Sequence, residues 1–366
     1  MKKIILRLDL NVPIDYKTNK ILETERIDAV ILEIKKLSKK NKLVILSHLG
    51  KGEENETLKP VEKYLRRKLD KKENENVEVL ENTRFQKGET DKTTSKEFIE
   101  TSKHFASLGD EYVDDAFASM HRAHASIVGI PKIFKKEKKK ISLGDLAKLE
   151  IKNLSKSLAL SKNPKNNTLL IISGAKISTK LPLIQKFLKL NANVFIGGGM
   201  ANQILKDVSK LNIGESFFEK DFTLKPAEIK FLAKSIKDKK LILPADAILE
   251  NNSVENINTL KEKDVICDIG PASFAILKNE ITNSKNIIMN GPLGIYEKGF
   301  VASTTSTLKE LKKNGNNVLI GGGDTLVLIK KLKIKSENKI FISTAGGAML
   351  DFLANDGKLP GIEALK

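Results

Sequence analysis

"TLLIISGAKISTK" (Thr168–Lys180) carries the reading that decides the fold. Thr168–Ile172 is almost continuously apolar, Ser173 and Gly174 interrupt it, and a helical pattern opens within the residues that follow. The same sequence of run, small or polar cluster and helical stretch recurs along the chain. In the first third it appears as "IILRLDLNV", "KLVILSHLG", "VEVLENTRF" and "EYVDDAF". Later it returns as "NVFIGGG", "KLILPAD", "VICDIG", "NIIMNGPLG", "NVLIGGG" and "KIFISTAGG". The intervening stretches, such as "TERIDAVILEIKKLSKK" (Thr24–Lys40), space their apolar residues as one helix face and end in lysines that suit a helix C-terminus. Apolar strands that alternate with helices imply parallel sheets covered on both faces, hence an α/β protein.

At 366 residues the chain exceeds one average domain. The basic segment "KIFKKEKKK" (Lys132–Lys140), with a helical pattern from Asp145, divides it into halves that can each carry a sheet. The expected division is 1–145 and 146–346. Hydrophobic residues make up 40%, ample for buried cores. The single cysteine, Cys267, cannot form an intrachain disulfide and sits in an apolar run, which suits a core residue in a reducing cytoplasm. Arg7, Asp9 and Asn11 break the opening apolar run, and no run is long enough to span a bilayer, so no membrane partner is expected. A net charge of +18 suggests anionic partners, although the lysines are scattered and no basic arm appears. Tryptophan is absent and aromatics are only 5%, which weighs against stacking on single-stranded nucleic acid.

Nearly every apolar run ends in an unusual cluster, and ligands of open parallel sheets bind outside the carboxyl ends of the strands. In the second half the clusters are rich in glycine. Lys176 and Lys180 lie near a helix N-terminus, where a bare lysine opposes the helix dipole; they are either solvated or neutralised by phosphate. In "GGGDT" (Gly321–Thr325), Asp324 can cap a helix or reach a magnesium ion carried on nucleotide phosphates. Neither the P-loop nor the dinucleotide fingerprint occurs. In the first half, Arg7, Arg26, Arg84 and Arg122 lie in or beside the decorated segments, with only Arg66 and Arg67 on an ordinary amphipathic helix. His48, His121 and His124 share those segments. Arginine's planar fork binds phosphate or carboxylate bidentately, so this half reads as an anion site. No cysteine lies near to complete a zinc site.

With these residues in view, the chain resembles the phosphoglycerate kinases along its whole length. The motifs are "RLDLNVP", "ERI", "SHLG", "LENTRF", "GDEYVDDAF", "HRAHAS", "SGAKISTKL", "GGGMAN", "NGPLGIYE", "GGGDT" and "STAGGAMLDFL", all in order. The resemblance implies two doubly wound, Rossmann-like domains joined by a hinge that closes on its ligands, with the tail 347–366 packed back on the first. It implies phosphoryl transfer between 1,3-bisphosphoglycerate and Mg-ADP, giving 3-phosphoglycerate and Mg-ATP, in a cytoplasmic monomer with no nucleic-acid partner.

By position, Asp9, Asn11, Arg26, His48, Lys51, Arg84 and Arg122 would hold phosphoglycerate, within a basic patch that includes Arg7, His121 and His124. Lys176 and Lys180 would serve the nucleotide phosphates, with Arg26 and the two lysines as the catalytic charges. Gly198, Gly199, Asn290, Pro292 and Glu297 would line the nucleoside region. Gly322, Gly323, Asp324 and Thr325 would meet the phosphates, with Asp324 at the magnesium. Some positions depart from the family pattern. Lys51-Gly52 stands for the Arg-Pro after "SHLG", Ser173 and Ala345 stand for glycines, and Thr325 for a serine. These departures, and the charge, leave a non-catalytic paralogue and a basic nucleic-acid binder as the alternatives.

Overall fold

The run that opens the chain becomes the central strand of a parallel sheet. In the computed structural model, which describes residues 1–337 and 339–366, that five-stranded sheet runs in the order Val77–Val79, Lys42–Leu46, Lys3–Leu8, Glu111–Asp115, Lys140–Leu143. Every neighbouring pair is parallel. A six-stranded parallel sheet follows, ordered Leu241–Ile242, Asn193–Ile196, Thr168–Ile172, Asn286–Asn290, Asn317–Gly321, Ile340–Ile342. Each sheet grows outward from its first strand in one direction and then in the other. The strand order therefore reverses once in each, between Lys3–Leu8 and Glu111–Asp115 and between Thr168–Ile172 and Asn286–Asn290. Such reversals are where an open α/β sheet leaves a crevice at its strand ends.

The two sheets belong to two compact units, Met1–Lys152 with Gly357–Lys366, and Asn153–Asp356. In the first, the strand period of two sends Ile4, Leu6 and Leu8 into one core with Ile27, Val30, Ile34, Val61 and Leu65 of covering helices. Ile5 enters the opposite core with Phe105, Tyr112, Ile130 and Phe134. Each such side chain contributes about 1.5–3 kcal/mol on full burial. The helix Glu25–Ser38 has Glu25 and Asp28 in its first turn and Lys35 and Lys36 in its last, matching its dipole at both ends. In the second unit, Leu169, Ile171, Ile287, Met289, Val318 and Ile320 pack against Leu277, Ile281, Leu308, Leu311 and Leu328.

Two strand runs take a different place from the one their patterns suggest. "KLILPAD" gives a two-residue edge strand, Leu241–Ile242, and then a separate strand, Asp246–Leu249, because Pro244 between them has no N–H to continue a ladder. "VICDIG" supplies Ile266–Ile269, which pairs antiparallel with that second strand in a small three-stranded sheet completed by Val254–Asn256. The basic run Lys132–Lys140 is not a linker. It closes the helix Ile130–Lys136 and starts the edge strand Lys140–Leu143, and the border between the units falls within the helix Asp145–Lys162. Helix Gly347–Ala354 packs on helix Leu181–Lys189 of the second unit, so the returning tail is Gly357–Lys366 rather than 347–366. There the backbone N–H of Gly361 donates to the Met120 carbonyl, 2.9 Å.

Candidate active site

In the first unit, strand register brings charged residues to one end of the sheet. Arg7 lies opposite Leu46 and Asp114, and on the face of Ile5 it is fully buried. Its Nε donates to Ser126 Oγ at 3.0 Å, Nη1 donates to the Leu8 carbonyl, and Nη2 lies 3.3 Å from His48 Nδ1. Arg26 reaches over from its helix, where Nη1 donates to Asp9 Oδ2 at 3.1 Å and to the Asn11 carbonyl at 3.0 Å. Asn11 Oδ1 in turn accepts from the Gly50 N–H at 2.9 Å, which ties the loop after "SHLG" to the first strand.

Arg84 donates through Nη1 to the Gly50 carbonyl, while its Nε is buried with no hydrogen-bond partner among the described residues. Burial first, then Arg122 and Arg7, depress the Arg84 pKa. His48 is held well below its usual pKa by burial and by Arg7, Arg84 and Arg122; the same causes push His124 down to about 3. Both rings are therefore neutral at pH 7, and the arginines carry the positive charge of the cluster. Arg122 itself is exposed and donates through Nε to His121 Nε2 at 3.2 Å. Lys51 projects from an exposed position on the Gly50–Glu53 turn.

Several supporting residues carry no motif of their own. Buried Asn82 donates to the Leu49 and Glu56 carbonyls, both 2.8 Å, and accepts from the Leu49 N–H at 3.2 Å. Buried Glu89 accepts from Ser126 N–H at 2.9 Å and Ser126 Oγ at 2.6 Å, bracing the segment with His121, Arg122 and His124. Burial pushes the Asp114 carboxyl up to about 6, where Tyr112 Oη donates to it at 3.1 Å. Glu89 stands four residues past "TRF" and Asn82 within "LENTRF", so their positions were visible in the sequence but their roles were not.

In the second unit, Asn290 lies opposite Ile172 and Gly321, which levels three strand ends. The helix that follows "SGAKISTK" starts at Leu181, with Lys180 as its capping position. Lys180 Nζ donates to the Ser173 carbonyl at 2.6 Å and lies 3.4 Å from Asn290 Oδ1. Burial pushes its pKa down to about 8, opposed by the charge of Asp324. Three buried polar atoms here have no partner among the described residues: Ser173 Oγ, Asn290 Nδ2 and Thr325 Oγ1. They converge beneath glycines. A Cβ on Gly322, whose φ is +108°, would lie 3.4 Å from Thr325 Oγ1 and 3.5 Å from Asn290 Nδ2. One on Gly198 would stand 2.9 Å from Ser173 Oγ. The helices Gly198–Asp207 and Gly323–Lys331 begin at these points, and the first turn of a helix has backbone N–H groups without intrahelical partners.

Ser173, whose place the pattern gave to a glycine, thus contributes a buried hydroxyl that the sequence did not mark as functional. Gly199, Gly323, Asp324 and Thr325 share the first turns of those two helices. Pro292 is half-buried just beyond Asn290, whereas Lys176 and Glu297 are exposed, Lys176 in the turn before its helix and Glu297 on the short helix Tyr296–Lys298. Among the described residues no group of three or more His, Cys, Asp or Glu side chains is arranged to hold a metal. None of their helices is long and apolar enough to cross a membrane.

Comparison with known proteins agrees with the fold. The family described as phosphoglycerate kinase matches residues 1–356. A phosphoglycerate kinase of Buchnera aphidicola subsp. Schizaphis graminum is 34% identical over 395 residues, covering 100% of this chain and 95% of that protein. The solved phosphoglycerate kinase of Coxiella burnetii has a TM-score of 0.80 at 31% identity, covering 100% of this chain and 96% of that one. That of Pyrococcus horikoshii OT3 has a TM-score of 0.78 at 26% identity, with the same coverages. Motifs in order, parallel sheets and whole-length similarity point the same way: the chain belongs to the phosphoglycerate kinase family.

Proposed function

We propose that the chain carries out the family's reaction on the two strand-end clusters described above, with 3-phosphoglycerate at the first and the adenine nucleotide at the second. The chain is an enzyme of phosphoryl transfer to a carboxyl acceptor, interconverting 1,3-bisphosphoglycerate and ADP with 3-phosphoglycerate and ATP. The observation that carries the assignment is that four buried polar atoms at these strand ends have no partner among the described residues: Arg84 Nε, Ser173 Oγ, Asn290 Nδ2 and Thr325 Oγ1. A buried orphan donor costs about 1–3 kcal/mol, and phosphate oxygens supply the missing acceptors.

In this reading Asp9, Asn11, His48, Lys51, Arg84 and Arg122 hold 3-phosphoglycerate. Lys180, Gly322, Gly323 and Thr325 hold the nucleotide phosphates, joined by Asn290, which the resemblance put with the nucleoside but whose Oδ1 lies 3.4 Å from Lys180 Nζ; Gly198, Gly199, Pro292 and Glu297 hold the nucleoside. A bond forms between the β-phosphate oxygen of ADP and phosphorus as the bond from phosphorus to the carboxyl oxygen breaks. No protein nucleophile takes part, so the residues act by alignment and charge. Arg26 and Lys176 neutralise the transferring phosphoryl group. Among the described residues Arg26 donates only through Nη1, which leaves the rest of its fork for a ligand.

Asp324, a single carboxylate at a helix start, suits a magnesium ion held chiefly by the nucleotide phosphates. Such an ion would supply charge neutralisation at those phosphates. We further assign the chain to the cytoplasm as a monomer, with neither membrane nor nucleic acid as partner. The test is a coupled assay of ATP consumption with the purified protein. The reading requires turnover that needs both ATP and 3-phosphoglycerate. Binding of both without turnover would establish the non-catalytic paralogue, and salt-dependent binding of DNA without either would establish the nucleic-acid binder.

A further inference from the structure

The turn that carries Lys51 is built around a carboxylate from its own chain. Glu56 is buried, and its Oε2 accepts from three successive backbone N–H groups, those of Lys51 at 2.6 Å, Gly52 at 2.5 Å and Glu53 at 2.8 Å. Three consecutive amides turned toward one point form an anion-binding nest. Here the anion is internal. Gly50 makes the fit possible, since a Cβ there would fall 1.6 Å from Glu56 Oε1. The turn is held from the other side as well, because Asn82 Nδ2 donates to the carbonyls of Leu49 and Glu56 and Arg84 Nη1 donates to that of Gly50. The nest, Lys51 and Arg84 therefore share one rigid connection.

We infer that Glu56 is a positioning residue for substrate binding, which fixes the Gly50–Glu53 turn and so sets the reach of Lys51 and the aim of Arg84. This rests on the proposed role of those two residues in holding phosphoglycerate. Its physical basis is the local sequence. Where the family pattern has Arg-Pro, this chain has Lys51-Gly52, which loses both a pre-formed fork and the rigidity of proline. A flexible lysine on a glycine-containing turn needs an external brace, and one carboxylate that takes three amides supplies it. Because the nest is filled, the backbone offers no donors of its own to the substrate phosphate, and grip at this point falls to side chains.

Steady-state kinetics on Glu56→Gln tests this. The variant keeps the shape of the side chain and removes the charge that three amides share. The expected result is a KM for 3-phosphoglycerate raised about tenfold, with kcat within about twofold and the KM for ATP unchanged. In a Lys51→Ala background the same change should add less than about threefold, because only its effect through Arg84 then remains. Unchanged KM, an equal loss in both backgrounds, or equal losses in kcat and in both KM values would overturn the inference. If the wild type itself shows no turnover, the functional reading has failed rather than this one. Amide hydrogen exchange on the wild type decides the geometry independently of activity and of variant folding. The amides of Lys51, Gly52 and Glu53 should exchange far more slowly than open-chain amides, and open-chain rates there would also overturn the inference.

Discussion

Thr325→Val separates a residue kept for a ligand from one kept for the fold. The threonine is fully buried at the start of helix Gly323–Lys331, and its hydroxyl has no partner among the described residues. Valine has nearly the same shape. Removing an unsatisfied buried hydroxyl should stabilise the ligand-free protein by roughly 1–2 kcal/mol. For a unit of about two hundred residues this corresponds to a rise in Tm of roughly 2–8 °C. The same hydroxyl, hydrogen-bonded to a charged phosphate, is worth about 1.5–3 kcal/mol, so ADP should bind roughly ten- to a hundredfold more weakly. Calorimetry with and without ADP reads both effects. The variant should melt higher alone and gain less from ADP than the wild type does, by roughly 1.4–2.7 kcal/mol of linked stability at saturating nucleotide. A lower Tm without ligand together with unaltered ADP affinity would refute the reasoning, since the hydroxyl would then serve the fold.

Two further predictions follow from the same geometry. Lys180, with a pKa near 8 because burial disfavours its charge, should lose its proton as pH rises through that value. Losing the proton removes positive charge from the phosphate region, so kcat/KM for ATP should fall on the alkaline side with a slope approaching tenfold per pH unit; Lys180→Arg should abolish that limb in a pH series. Lys51→Arg restores a planar fork at the end of the braced turn and should lower the KM for 3-phosphoglycerate roughly fivefold in steady-state assays.

Which parts of the molecule the sequence revealed follows from where the information lies. Strand ends were legible because a polar or glycine cluster after an apolar run has few structural explanations. "SGAKISTK", "GGGDT" and "SHLG" are therefore readable as strand ends, which is where the fold puts them. The strand "VICDIG" was not legible as antiparallel, since its apolar pattern is the same in either ladder and only pairing with Asp246–Leu249 decides. The border between the units was hidden inside the helix Asp145–Lys162, whose periodicity is unbroken across it. Sequence placed His124 among positive groups, but its neutral state depends on burial and on arginines from other segments. Glu56 was invisible for the same reason, being one acid in "GEENET" until folding turns three amides toward it.

The central claim is that charge from Arg26 and Lys176, rather than a protein nucleophile, carries the transfer. Single-turnover measurement of ATP formation from 1,3-bisphosphoglycerate and ADP, with both ligands saturating, tests it most directly. Arg26→Ala and Lys176→Ala should each slow the step by at least about a hundredfold while circular dichroism and Tm stay near the wild type. Wild-type rates in both variants would contradict the account.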